Sequence, residues 1–530
     1  MRDWLAHRAR ATPGATALVA PDTARATGGG ESSGRAGGPA AAGRGEPGGI
    51  SYERLDARVE ELAGRLSGFG VGVDDHLAVC LPTRPAVVTL AHAAMRLDAV
   101  LVPLHPELTA PELADRIERA EVTHAVAGRG TEATVAAAVR ETGLAVSVAT
   151  VDEPDAGAAA LSRVEPEVFD LSAWDHDCPL LLVATSGTTG TPKLVELTAG
   201  NLHANAAATA WRLGVLPTDR WHCVLPMAHV GGLAPVYRTV LYGTAVVVED
   251  VAGGFDATAT LRAMQEGDAT CVSLVPATLR RLLDASADPD AHAFPDLRFV
   301  LLGGAAAPES LVERAADRGV PVATTYGTTE TASGIATARP EEAREAPGTV
   351  GSPLMFTDVT VVDGDGVECD PGDPGEFVVR GPAVASGYYG DAAATERAFS
   401  SEGFHTGDVG YRDRNGRLWV LNRLDDRITT GGETVDPGEV ADAIRSHPEV
   451  ADAFVLGIPD ETFGERVAAL VEPEGTGPTT EALDAYLRER LAGFKLPRTV
   501  AFGELPRTAS GTVEREAARE RLLDARDEGG

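Results

Sequence analysis

Apolar positions along the chain change period repeatedly, from the spacing of a helix to that of a short buried strand. Trp4, Leu5 and Ala9 mark a short helix that Pro13 ends, and Ala17 to Ala20 reads as a strand. From Tyr52, the spacing of Leu55, Val59, Leu62, Ala63 and Leu66 predicts an amphipathic helix. Strands are then predicted at Leu77 to Leu81, Ala99 to Leu104, Val122 to Ala127 and Leu144 to Val151. Helices alternate with them at Ala86 to Leu97, Pro111 to Ala120 and Ala133 to Thr142. Further strands fall at Pro179 to Ala184, Ala245 to Val248, Thr270 to Val275, Phe299 to Leu302 and Val320 to Thr324. Such alternation builds largely parallel sheets covered by helices, whose ligands sit at the carboxyl ends of strands.

The pattern changes after Val350. Val359 to Val362, Gly375 to Val379 and Leu418 to Leu421 are short strands among turns such as Asn415-Gly416. From Asp426 a compact α+β module follows, with helices near Pro437 to Arg445 and Thr480 to Leu491 and strands at Ala451 to Leu456 and Val467 to Val471. A chain of 530 residues exceeds one core, so at least two domains are expected. Residues 24–49, rich in Gly and Ala without periodicity, are expected to be a disordered insertion.

Charge narrows the partners. With 46 basic and 79 acidic residues the net charge is −33, which repels nucleic acid and anionic membranes. Only 2 of the 46 basic residues are lysine, and the acidity is spread evenly, a pattern read as adaptation to a high-salt cytoplasm. The 5 cysteines lie far apart, as buried thiols of a reducing compartment do. No signal peptide or membrane-spanning run is apparent, so a cytoplasmic protein is expected.

Residues Thr185 to Lys193 read Thr-Ser-Gly-Thr-Thr-Gly-Thr-Pro-Lys and follow the strand at Pro179. Composition alone allows a flexible connector. It equally allows a loop whose amides and hydroxyls close on phosphate oxygens while an ammonium balances their charge. The spacing of Gly187, Gly190 and Lys193 is not that of a Walker A loop. A lysine kept where Arg has replaced nearly every other one favours the phosphate reading.

This loop resembles that of the adenylate-forming acyl-CoA synthetases, and further motifs recur in that family's order across nearly the whole chain. The resemblance implies a large N-terminal domain, residues 1–424, of stacked helix-covered sheets plus a distorted β-barrel. A small mobile α+β domain, residues 425–530, would rotate at Asp425. It implies ATP, Mg²⁺ and CoA as co-substrates and cofactor, and a small carboxylic acid as substrate. Thr185, Ser186, Gly187, Thr188, Thr189, Gly190 and Lys193 would hold the phosphates, with Thr185 and Glu330 on the metal. Gly303 and Gly304 would wall the acyl and adenine pockets, and Tyr326, Gly327 and Thr329 would flank adenine. Asp408 and Arg423 would take the ribose. His229, ahead of Gly231 and Gly232, would gate the acyl pocket, which Ser333 also lines. Gly431, Gly432 and Glu433 would face CoA after rotation.

One departure stands out. The family's C-terminal lysine, which bridges carboxylate and nucleotide during adenylation, is Thr512 here, with Arg507 and Arg515 as nearby cations that could stand in. The segments from Thr329 to Ser333, Ala336 to Glu342 and Gly351 to Leu354 are most similar to the branch of the family acting on o-succinylbenzoate, an aryl ketoacid. The resemblance thus implies an acid–thiol ligase working through an acyl-adenylate. A medium-chain or aromatic acyl-CoA ligase, and a non-catalytic nucleotide-binding protein, stay open, as does assembly into a homo-oligomer.

Overall fold

The computed structural model describes residues 3–21, 49–170, 175–185, 192–251, 254–286, 294, 297–424, 428–430, 433–435, 437–460, 463–508 and 513–528. Residues 24–48 of the expected insertion therefore lie outside the described residues.

Four sheets carry the chain. A seven-stranded sheet runs Ala159–Ala160, Ser147–Thr150, His124–Ala127, His76–Cys80, Val100–Leu104, Pro179–Ala184 and Leu194–Thr198. Its strands are parallel except for the last pair, in which Ala184 faces Leu194 across an antiparallel turn. Val102, Leu182 and Val126 are all but inaccessible, as strands with both faces covered require. The helices Tyr52–Gly68 and Pro85–Leu97 pack on one face of this sheet, and Ala110–Arg119 with Glu132–Thr142 on the other.

The second sheet has nine strands, and its first parallel member comes from the far N-terminus. Thr16–Val19 pairs with Ala245–Val248, and the order continues through Arg220–Cys223, Cys271–Leu274, Phe299–Leu302 and Val322–Tyr326. The N-terminal segment is fastened further by Arg8, which donates to Val240 O at 2.9 Å and Leu241 O at 2.6 Å. Asp3 caps the first helix and binds the buried Arg96 at 2.5 Å, while the Tyr52 hydroxyl reaches Thr244 O at 2.6 Å.

The third sheet is antiparallel, in the order Asp358–Val362, Gly375–Arg380, Gly403–Arg412, Phe399–Ser400, with Leu418–Arg423 also pairing with Gly403–Arg412 through its residues 408–412. It is the element expected as a distorted barrel. The fourth belongs to the small domain, where Val450–Asp460 and Gly464–Pro473 form a long hairpin and Thr499–Phe502 runs parallel to the latter. Helix Pro437–Arg445 begins and ends where the sequence predicts.

Many elements escape the sequence pattern, and three of them bear on the site. Leu194–Thr198 is a strand, and Ala199–Leu213 and Val230–Tyr242 are helices. The second helix holds Gly231, Gly232 and Pro235, residues that argue against one. It forms because a Cβ on Gly232 would lie 2.3 Å from Pro226 O, so only glycine lets this first turn sit against the preceding loop.

Candidate active site

Candidate residues stand at or just beyond the carboxyl ends of strands in both large sheets. Thr185 follows Pro179–Ala184, His229 follows Arg220–Cys223 by a short loop, Gly303 follows Phe299–Leu302, and Tyr326 ends its own strand. The loop expected to hold phosphates is closed at its base, where Thr185 N donates to Lys193 O at 2.9 Å and Lys193 N to Thr185 Oγ1 at 3.2 Å. Ser186, Gly187, Thr188, Thr189 and Gly190 lie outside the described residues. The Lys193 ammonium stands 4.6 Å from the ring centre of Tyr388.

Tyr326, Asp408 and Arg423 form one hydrogen-bonded group. Asp408 and Arg423 are opposite partners on neighbouring strands, and Arg423 Nη1 meets Asp408 Oδ1 at 3.1 Å. The Tyr326 hydroxyl donates to Asp408 Oδ2 at 2.6 Å, so the tyrosine expected at adenine also touches the expected ribose carboxylate. Burial pushes the Asp408 carboxyl above the usual range, against the pull of Arg423 and Tyr326. Behind them Glu376 accepts from Gly407 N at 2.9 Å and contacts His405 Nδ1 at 3.0 Å, which holds Gly407 at φ +68° beside Arg423.

Glu330 sits in the short turn Thr329–Thr331, nearly buried, and accepts from the Tyr388 hydroxyl at 2.8 Å. Among the described residues no three acidic, His or Cys side chains gather as a metal cage. One carboxylate and the Thr185 hydroxyl fit a Mg²⁺ ion held chiefly by nucleotide phosphates and water. Gly303 and Gly327 are close approaches, since a Cβ would lie 2.6 Å from Thr325 Cγ2 and 2.2 Å from Ser333 O respectively, and Gly304 has φ +78°.

Around His229 and Ser333, the residues expected at the acyl group, stand groups that sequence reasoning missed. His229 is the N-cap of helix Val230–Tyr242, with its ring centre 5.6 Å from that of His105. Burial, then the neighbouring imidazole, lowers His229 to about 4, so both rings are neutral at pH 7. Ser333 has φ +97° after Ala332 at +52°, two strained positions in a row. Its hydroxyl accepts from Arg238 Nη2 at 2.7 Å. Arg238, 4 % exposed, also donates to Asn205 Oδ1, and no carboxylate pairs with it among the described residues. A single cation inside the apolar run Leu233 to Tyr242 was the sequence signal.

The small-domain residues are only partly visible. Asp425, Gly431, Gly432 and Thr512 lie outside the described residues, and Glu433 opens the strand Glu433–Val435. Arg507 is engaged within its own domain, 2.5 Å from Asp452 and 3.8 Å from Glu472, and Arg515 begins helix Arg515–Glu528. Lys495, the other lysine, binds both oxygens of Glu439 at 2.7 and 2.5 Å.

The fold is that of an adenylate-forming enzyme. Residues 5–389 match the AMP-binding enzyme family and residues 439–512 its C-terminal domain, so the chain belongs to that family. More particularly, it is 35 % identical over 467 residues to 2-succinylbenzoate–CoA ligase of Bacillus licheniformis, covering 88 % of this chain and 94 % of that one. It is 32 % identical to the Bacillus subtilis ligase of the same name, over 99 % and 98 % of the two chains. The solved o-succinylbenzoate CoA synthetase from B. subtilis in complex with its acyl-adenylate intermediate superposes with a TM-score of 0.83, at 31 % identity and 98 % coverage of both chains. The same enzyme with ATP and magnesium gives 0.82, at 31 % identity over 99 % and 100 % of the chains.

Proposed function

We propose that the protein is an ATP-dependent ligase that converts 2-succinylbenzoate to its CoA thioester. One carboxylate attacks the α-phosphorus and pyrophosphate leaves. The CoA thiolate then attacks the acyl carbon and AMP leaves. Arg238 carries this reading. A buried guanidinium without an acid partner is costly unless a ligand supplies the countercharge. A diacid does so with its second carboxylate, whereas a fatty acid leaves the arginine unpaired.

The remaining roles follow from position. Lys193 and the phosphate loop from Thr185 to Gly190 bind phosphates, and Asp408 and Arg423 take the ribose beside Tyr326. Gly303, Gly304, Gly327 and Thr329 shape the adenine and acyl walls, and His229 with Ser333 faces the acyl group. Glu330 and Thr185 would hold Mg²⁺, which would supply charge neutralisation at the phosphates. Residues 1–424 form the large domain, and residues 425–530 turn about Asp425 to bring Gly431, Gly432 and Glu433 to CoA. Catalysis here is mainly positioning and charge stabilisation.

The deciding experiment compares 2-succinylbenzoate with 4-oxo-4-phenylbutanoate, the same acid without its ring carboxylate, in acid-dependent pyrophosphate exchange and AMP release. The diacid is expected to win by about 100-fold in kcat/KM, as sites built around a substrate's polar group do. Equal use of both acids would remove 2-succinylbenzoate as the substrate. The net charge of −33 supports a cytoplasm rich in salt. At 0.01 M salt, charges repel over a Debye length of about 30 Å, so the melting temperature should rise between dilute and molar KCl. A flat curve would remove the halophilic reading. Among the described residues no helix is long and apolar enough to cross a membrane.

A further inference from the structure

Tyr388 belongs to none of the expected motifs, yet it touches both the lysine and the glutamate of the phosphate end. Its place is fixed from several sides. It bridges Val195, two residues beyond Lys193, and its amide donates to Thr395 Oγ1 at 2.9 Å. Its ring packs edge-on against Phe399, with centres 5.5 Å apart. The segment is also pinned to the Glu330 turn, where Ala385 N donates to Glu330 O at 2.7 Å. From this seat the hydroxyl reaches Glu330 Oε1 at 2.8 Å, and the ring face receives the Lys193 ammonium at 4.6 Å.

We propose that Tyr388 is a positioning residue that keeps Lys193 and Glu330 apart and ready, its hydroxyl fixing the carboxylate and its ring holding the ammonium. The inference rests on the ATP reading above. A lysine and a buried glutamate near one another would otherwise form an ion pair. Such a pair neutralises the charge that phosphates need and occupies the oxygens that a metal needs. Lys193 makes no ion pair among the described residues. The phenol fills one lone pair on Glu330 Oε1 and leaves Oε2 open to a cation or water. Attraction to a ring face is weaker than to a phosphate, so the ammonium is restrained yet released when the nucleotide arrives.

The test is ATP affinity, measured by calorimetry with Mg²⁺ and again in EDTA, with melting temperature read alongside. Tyr388→Phe keeps the ring and loses the hydroxyl. Its affinity in EDTA should stay within about twofold of the parent, while the gain that Mg²⁺ confers should shrink about tenfold, the worth of one hydrogen bond to a charged group. Tyr388→Leu loses both functions, and its affinity in EDTA should also fall, by about fivefold, as Lys193 turns to Glu330. Adding Glu330→Gln to Tyr388→Leu should restore that EDTA affinity, because the competing charge is gone. A parent-like Mg²⁺ gain in Tyr388→Phe overturns the proposal. So does a loss equal with and without Mg²⁺ and accompanied by a lower melting temperature, which marks a merely structural tyrosine. These arms read ATP and Mg²⁺ binding alone and hold whatever acid is the substrate. A parent that binds no Mg·ATP overturns the ATP reading together with this inference, whereas normal parent binding with an unchanged Mg²⁺ gain overturns the inference by itself.

Discussion

Asp408 in the large domain and Asp452 in the small domain are buried to the same depth, 7 % and 8 % exposed, yet their surroundings treat them differently. Asp408 has one arginine, Arg423 at 3.1 Å, and burial still raises its carboxyl above the usual range. Asp452 has two, Arg445 at 2.8 Å and Arg507 at 2.5 Å, and the arginines prevail over burial to hold it below that range. The first is a charge left partly uncompensated at the place where we propose that the ribose binds. The second is a charge spent on holding a domain together. Arg238 and Lys193 extend the contrast, since neither is paired with a carboxylate among the described residues, while Arg507 and Lys495 both are. Asp452 and Arg507 share one domain, so their pair survives any rotation. That pair counts against Arg507 as a stand-in for the lysine that the family resemblance expects at Thr512.

The sharpest test of that contrast is Asp452→Asn, which strands two arginines around a buried neutral group. It should cost about 3–5 kcal/mol of stability at pH 7, read by denaturant unfolding. The sign with pH follows from the lowered carboxyl. Its contribution is complete above the unfolded value of about 3.9 and is lost as pH falls through the lower folded value. The gap between parent and variant should therefore close in acid. A stability loss below 1 kcal/mol would break the comparison from the structural side.

Lys193→Ala should do the reverse, sparing the melting curve while lowering pyrophosphate exchange about 100- to 1000-fold. Unchanged exchange would leave the large domain without its expected cation. Arg238→Met comes next. It should raise KM for 2-succinylbenzoate about 30-fold and leave 4-oxo-4-phenylbutanoate little affected, with no loss of stability because an unpaired buried charge has been removed. Smallest of all, Asp408→Asn should weaken ATP binding yet raise stability at pH 7 by about 1 kcal/mol. A raised carboxyl favours folding below its unfolded value and loses that contribution as pH rises through the folded one, so its ionised form costs stability at neutrality. A destabilised Asp408→Asn variant would erase the difference between the two aspartates.

Much of the architecture was readable because burial on both sides of a strand leaves an unbroken apolar run. Ala245–Val248 and Phe299–Leu302 fall where the sequence places them, and Cys271–Leu274 falls within a residue. Helix Val230–Tyr242 was hidden by its own requirement for glycine, a tertiary contact with Pro226 that no local period records. The motif residues Tyr326, Asp408 and Arg423 were legible one by one, but their joining was not, since it depends on the register of two antiparallel strands. Tyr388 and His105 stood in segments with no distinctive spacing. Arg507 looked available because it is near Thr512 in sequence, whereas its partner Asp452 lies 55 residues upstream.

The fastening of the N-terminus bears on how the protein is made. Arg8 grips a helix 232 residues later, and Thr16–Val19 is a strand of the sheet that Ala245–Val248 also joins. Between them the ribosome delivers the whole seven-stranded sheet, which draws on residues 76–198 alone. During translation the opening segment can pair early with Ile50–Ser51 and with Arg96, but its parallel strand partner and the carbonyls that Arg8 grips arrive only after the next unit has been delivered. The helix that carries Arg238 can be clamped by Arg8 only once nearly half the chain has emerged. A nascent chain stalled before Tyr237 would leave Trp4 without the ring of that residue and Leu18 without Val246, open to whatever chaperones attend the exit tunnel.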